Sequence, residues 1–441
     1  MRAAASRLST ALATFAQIEP QERRAVALAF ACNFMLLGSY YILRPLRDSM
    51  ATVFGVGQLQ NLFTLTFLLA VLCSPIYSAL ASRLKLTTLL PGAFWFWLLN
   101  VLLFYGLFAL APASRWVAGA YYVWFSVVNL IMISVFWSLM VDLFSAAQAT
   151  RLFALIAAGG SLGAIGGALL TRLYVPALGL SGLLLLAAAG FAVVIGLIYW
   201  LMREKERLRL SATAGQTSSL THPLAGNPLE GFGELLRSAY QRHQAAFMLF
   251  MTWASTVAYF FQTDLISRAF AGIVRRTEVI ADIDLIVNIA SALIMILGVG
   301  RLIRKFGVTT GLVLNPLIML VAFSAIALAP TVLMIQAVQV VRRVSQYAIA
   351  RPSREICFTV VPQESRYKAK NVIDTVIYRL GDVTAAWLVA GLRWAGTGLA
   401  GTVALGLAVS AAWAVSATGL GRRFEVLRRK QAIDPLATAS D

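Results

Sequence analysis

Long apolar runs separated by short polar segments recur along nearly all of the 441 residues. About 20 helical residues cross the roughly 30 Å of bilayer hydrocarbon. Runs of that kind fall at 25–43, 59–82, 86–110, 117–142, 152–174 and 177–201. A second set falls at 244–263, 279–300, 309–329, 331–361, 371–395 and 397–418. The pattern predicts an all-α polytopic membrane protein of twelve transmembrane helices, the tenth of them long and studded with charge. The long polar stretch 202–243 divides six spans from six, and reads as a charged helix end, a Ser/Thr/Gly linker and a short helix capped near Asn227-Pro228. The expected organisation is an N-terminal segment 1–24, a bundle 25–201, a loop 202–243, a bundle 244–418 and a tail 419–441.

Composition agrees with that pattern. Hydrophobic residues make up 59% of the chain and charged ones 13%, against about a quarter in soluble proteins, which excludes a soluble globular domain. Short cytoplasmic loops retain Lys and Arg. With both termini inside, the inner segments hold 24 of the 37 basic residues and the outer ones six, Arg115, Arg172, Arg268, Arg275, Arg276 and Arg393. The net charge of +18 is thereby a topology signal and an attraction to anionic headgroups, and calls for no nucleic acid. Cys32, Cys73 and Cys357 lie in or beside apolar spans, where a thiol behaves as a small hydrophobe. With His222 and His243 isolated, neither a disulfide framework nor a metal site is expected, and no cofactor motif is present. The Arg- and Ser-rich N-terminus is expected to lie as an amphipathic segment on the inner face.

Residues 218 apart match in the two halves: Tyr41 with Tyr259, and Leu162-Gly163 with Leu380-Gly381. Six plus six helices, a cytoplasmic central loop and such a repeat match the major facilitator architecture, whose substrate site lies near mid-membrane.

Seven arginines remain inside the predicted spans: Arg44, Arg47, Arg342, Arg343, Arg351, Arg354 and Arg379. An intramembrane charge costs at least about 2.5 kcal/mol, so it usually faces a cavity or a partner. Arg343, Tyr347, Arg351 and Arg354 succeed one another at spacings of four, four and three, which stacks them on one α-helical face, with a kink expected at Pro352. Arg44 and Arg47 flank Pro45 and are expected to end the first helix. The major facilitator fold would set the two clusters on opposite walls of a central cavity. Guanidinium forks match phosphate or carboxylate oxygens, so the lining suits a multiply charged anion. Nearby acids are Asp48, Glu355, Asp374, Asp382, Asp282 and Asp284. Glu355 is expected to pair with Arg351, and Asp382 with Arg379. Asp48 and Asp142 suit interhelical gates better than substrate contact. GGSLGAIGG, 159–167, resembles a phosphate loop, but no strand precedes it, and its small residues every four positions favour helix packing. FWFW, 94–97, suits a core or an interface.

YYILRPLRDS (40–49), FWSLMVDLFSAAQATRLFALIAAGGSLG (136–163), LLRSAYQRHQAAFMLFMTWASTVAYFFQTDLI (235–266) and above all RPSREICFTVVPQESRYKAKNVIDTVIYRLGD (351–382) resemble the ATP/ADP translocase family, in particular its shorter bacterial members. The resemblance implies nucleotide exchange, with Arg47 and Arg354 at binding positions and Lys368, Lys370, Asp374, Arg379 and Gly381 matching the pattern. Arginine stands for lysine at Arg47 and Arg354, and Gln148 stands where an acid is expected. The expected protein is a monomeric alternating-access transporter of a nucleotide or other phosphorylated anion in a bacterial inner membrane. Substrate contacts would come from Arg44, Arg47, Arg351, Arg354, Arg379 and Tyr347, and gating or coupling from Asp48, Asp142, Glu355, Lys368, Asp374 and Asp382. A proton-coupled carrier of another organic anion or a lipid is the alternative. A membrane sensor or scaffold, and still more an enzyme, fits the chain less well.

Overall fold

The computed structural model describes residues 18–83, 86–112, 114–211, 230–297, 299–361, 369–370 and 372–437. Every regular element among them is helical. The first six helices are α1 (Arg23–Phe54), α2 (Leu59–Arg83), α3 (Leu86–Leu110), α4 (Arg115–Leu143), α5 (Ala146–Ser211) and α6 (Glu230–Arg237). Then come α7 (Ala239–Ala269), α8 (Ile273–Leu297), α9 (Val299–Leu328), α10 (Val332–Ser345), α11 (Arg351–Cys357), α12 (Tyr378–Trp394) and α13 (Gly398–Ala437). Two π-turns, Gln346–Ala350 and Ile373–Ile377, precede α11 and α12.

Among the described residues, eight helical stretches are long and apolar enough to cross a membrane. One of them, Arg151–Lys205, covers two expected spans, because α5 is two arms joined at Gly179 (φ 62°), a left-handed conformation that a residue with a Cβ rarely adopts. The expected spans 331–361 and 371–395 are not among them: a π-turn and four arginines interrupt the first, and α12 itself has 17 residues. The expected span 279–300 is helical over 279–297, and residue 298 lies outside the described residues.

The described residues form two compact units. One draws on Met1–Phe54, Leu72–Pro223 and Gly272–Leu285, and the other on Gly55–Val71, Leu224–Ala271 and Ile286–Asp441. In the first, α1 lies along the first arm of α5. A Cβ at Gly159, Gly163 or Gly167 would run into the carbonyl oxygen of Phe30, Phe34 or Gly38, so the two backbones touch at every turn of this stretch. The expectation that GGSLGAIGG packs helices is met. Asn33 reinforces the contact by donating to the Ile156 carbonyl at 2.9 Å. Behind this pair, Tyr40 stacks on Phe125 at 5.0 Å, and Phe104, Tyr121 and Trp124 continue the aromatic core. FWFW divides: Phe94 and Trp97 are buried, Trp95 and Phe96 exposed.

The second unit repeats the contact. A Cβ at Gly381 would meet Thr252 at 3.0 Å, and residues 252 and 381 are Phe34 and Gly163 displaced by the same 218 positions. α7 and α12 are therefore the counterparts of α1 and the first arm of α5, and the offset read in the sequence is a repeat of one helix–helix contact.

Candidate functional site

Each unit carries its own arginine cluster. In the first, α1 does not stop at Arg44-Pro45-Leu46-Arg47-Asp48; it stays helical to Phe54 and turns only at Gly55. The proline deprives the Tyr41 carbonyl of its usual donor, and helices in lipid accept such a break when neighbours support the backbone beside it. Tyr121 donates to the Leu43 carbonyl at 3.2 Å and Thr171 to the Ile42 carbonyl at 3.3 Å. Sequence reasoning ended the helix here because these donors come from residues 78 and 129 positions away.

Arg47 donates through Nε to the Asp48 carboxylate at 2.9 Å and through Nη1 to Ser126 at 3.3 Å, and its guanidinium lies over Tyr122 at 5.0 Å. Asp48 thus holds the arginine next to it. Arg44 lies 5.2 Å from the Tyr41 ring and 3.7 Å from the carboxylate of Asp284, whose side chain is wholly buried. Asp284 belongs to Gly272–Leu285, the piece of α8 that packs in this unit. Four further contacts fasten that piece: Arg172 to Glu278 at 2.6 Å and to Asp282 at 2.5 Å, Ser49 to Thr277 at 2.7 Å, and Arg276 to Thr52 at 2.9 Å. Asp142 pairs with Lys205 and so ties α4 to the second arm of α5.

In the second unit, the row Arg343, Tyr347, Arg351, Arg354 is not the continuous face that α-helical spacing predicts. The π-turn Gln346–Ala350 lies within it and rotates the residues beyond it by about 100°, one residue of an α-helix. Arg343 and Arg354 are buried, while Arg351 is exposed and Tyr347 half-buried. The wide turn ends just before Pro352, whose ring would meet the Ala348 carbonyl in a regular helix.

Arg354 is 5% exposed and bonds Asp374 at 2.6 Å and Glu355 at 3.3 Å, while Lys370 takes the other Glu355 oxygen. Glu355 therefore pairs with Arg354 and Lys370, in place of the Arg351 expected four residues back. The Arg354 and Lys370 charges both lie over Phe358, at 6.0 and 5.4 Å. Arg379 pairs with Asp382 at 3.4 Å as expected, and Thr256 donates to the same carboxylate at 3.0 Å. Arg342 is gripped by Gln339 at 3.0 and 2.8 Å and by Gln346 at 3.2 Å. Lys368 lies outside the described residues.

Sequence reasoning missed Gln339, Ser126, Tyr122 and the pairing role of Asp284, none of which has a local signature. Gln148 is accounted for. It accepts from the Ser145 amide at 2.9 Å at the start of α5 and donates to Glu22 at 2.8 Å, and Arg151 binds the same acid at 3.0 Å.

No family model and no curated relative matches the chain. Solved structures do. A bacterial homologue of the iron transporter ferroportin in an inward-facing state superposes with a TM-score of 0.61 at 13% identity, over 90% of this chain and 98% of that one. A bacterial homologue of the human lysosomal transporter Spinster gives 0.57 at 14%, over 93% and 95%. The nucleoside transporter NupG gives 0.54 at 16%, over 93% and 99%. At these identities the likeness is one of fold: an all-α membrane protein of the major facilitator type.

Proposed function

We propose that the protein is a secondary transporter that moves a nucleotide or another phosphorylated organic anion across a bacterial inner membrane by alternating access, with both termini in the cytoplasm. One observation carries this reading: Arg354, buried in a helical bundle, is held by two carboxylates, Asp374 on Nη1 and Glu355 on Nη2. Burying an ion pair seldom adds stability over apolar packing, so its presence inside a membrane helix calls for another reason. A phosphate can take the place of a carboxylate on a guanidinium without leaving either charge bare. Arg354 exchanges Asp374 for a substrate phosphate and recovers Asp374 when the substrate leaves. Arg47 and Asp48 do the same in the other unit, with Ser126 keeping the guanidinium in place. Arg44, Arg379, Arg351 and Tyr347 complete the proposed contacts, and the ATP/ADP translocase resemblance points to nucleotides as cargo.

The test is uptake of radiolabelled ATP into proteoliposomes of purified protein, with and without internal ADP. Uptake that requires internal nucleotide and falls to background in Arg354→Ala and Arg47→Ala, both still eluting as folded protein, supports exchange. Wild-type transport persisting in either variant removes that arginine from the site. Asp382, buried between Arg379 and Thr256, favours a second mode in which a carboxylate carries the coupling proton. Uptake that tracks a pH gradient, needs no internal nucleotide and is lost in Asp382→Asn would select it.

A further inference from the structure

Away from both arginine clusters, the first unit holds a cavity of about 400 Å³ between the start of α1 and the second arm of α5. Its position along the chain is specific. The apolar run of α5 ends at Tyr199-Trp200-Leu201-Met202, and the next residues are Arg203, Glu204 and Lys205. Tyr199 and Trp200 are 44% and 47% exposed and line the cavity, as aromatic residues do at headgroup depth. Three guanidiniums line it too, from Arg24, Arg203 and Arg207, against one carboxylate, Glu204.

That carboxylate is 5% exposed and organises the cations. It binds Arg24 at 3.3 Å and lies 3.9 Å from Arg207, while Arg24 also stacks over the Trp200 ring at 5.5 Å. One buried acid cannot neutralise three arginines, so the lining keeps an excess of positive charge. The Arg24 and Arg207 side chains remain 49% and 68% exposed, leaving N–H donors turned outward. At the other end of the cavity, a Cβ on Gly196 would meet nothing within 4 Å, so the groove stays open along the apolar part of the helix.

A cationic, donor-rich mouth joined to aromatic and then apolar walls matches an amphiphile better than a free ion. We propose that this cavity binds an anionic phospholipid, with Arg24, Arg203 and Arg207 holding the headgroup phosphate and an acyl chain passing Tyr199, Trp200 and Gly196. Glu204 is a positioning residue that fixes Arg24 and Arg207. The site lies on the side proposed above to face the cytoplasm, and it is separate from the substrate contacts.

The experiment monitors the melting of the detergent-purified full chain with short-chain phosphatidylglycerol, phosphatidylcholine of the same chain length, or inorganic phosphate. Phosphatidylglycerol is expected to raise the melting temperature where the other two do not. Each arginine removed near a headgroup weakens anionic lipid binding about fivefold, so Arg203→Gln and Arg207→Gln should each shift the titration by that factor. Gly196→Leu, which fills the groove and leaves every charge in place, should abolish the effect. Inorganic phosphate reproducing the wild-type shift overturns the lipid assignment, and so does a phosphatidylglycerol shift unchanged in all three variants. Should Gly196→Leu fail to fold, native mass spectrometry of bound phosphatidylglycerol on Arg207→Gln decides. Reduced retention supports the site, and wild-type retention overturns it.

Discussion

The helix pair α1 and α5 in one unit and the pair α7 and α12 in the other share a contact but not a way of packing. In the first, Gly159, Gly163 and Gly167 press on the backbone carbonyls of Phe30, Phe34 and Gly38. Displaced by 218, the same positions in the second unit are Ile377, Gly381 and Ala385 against Met248, Thr252 and Thr256. One glycine of three survives, so side chains separate the backbones there, and polar groups occupy the space. Thr256 bonds Asp382, Met248 lies 3.7 Å from Arg354, and a π-turn ends at Ile377. Small residues allow close approach in a lipid environment, where apolar packing alone distinguishes little between protein and solvent. Where the two backbones touch, between Gly159 and Gly167, there is no room for exchangeable charges, and α1 carries its Arg47–Asp48 pair past that stretch. At the equivalent positions the second pair has larger residues, a π-turn beside α12 and the Arg379–Asp382 ion pair, and a π-turn is a feature expected where a helix must rearrange.

The contrast breaks most sharply at Gly163. Gly163→Ala puts a methyl group into a carbonyl that neither helix can move, and should cost more than about 3 kcal/mol. Loss of the monodisperse peak in size-exclusion chromatography is the expected result, and a normal peak and melting curve would show that the close approach is not required. Arg354→Ala comes next. It leaves Asp374, whose side chain is 31% exposed, without its guanidinium, so the cost should fall at the low end for a buried pair, about 3 kcal/mol. The double variant Arg354→Met with Asp374→Leu should regain the lost melting temperature and still take up no substrate. Recovery of uptake would separate this pair from transport.

Gly381→Ala meets only the Thr252 side chain, at 3.0 Å, and should cost about 1 kcal/mol. A penalty as large as that of Gly163→Ala would erase the distinction between the two pairs. Smallest is Thr171→Val, which removes one of the hydroxyls covering the backbone near Pro45. Membrane hydrogen bonds of this kind are worth about 0.6 kcal/mol, so the melting point should fall slightly, with uptake intact.

Helix existence, membrane class and the glycine seam rest on local periodicity, and the sequence alone determined them. A run of twenty apolar residues needs no partner to be read, and neither does a small residue every fourth position. The Arg379–Asp382 pair was legible for the same reason, since an i, i+3 spacing brings the two groups together on any α-helix. Tertiary structure decided the rest. The backbone of α1 beside Pro45 is braced by Tyr121 and Thr171 from other helices. Arg44 meets Asp284 from 240 residues away. The register of Arg351 and Arg354 turns on a single extra residue in the π-turn. Each of these is a nonlocal contact or a departure from ideal helical geometry, and α-helical periodicity carries no information about either.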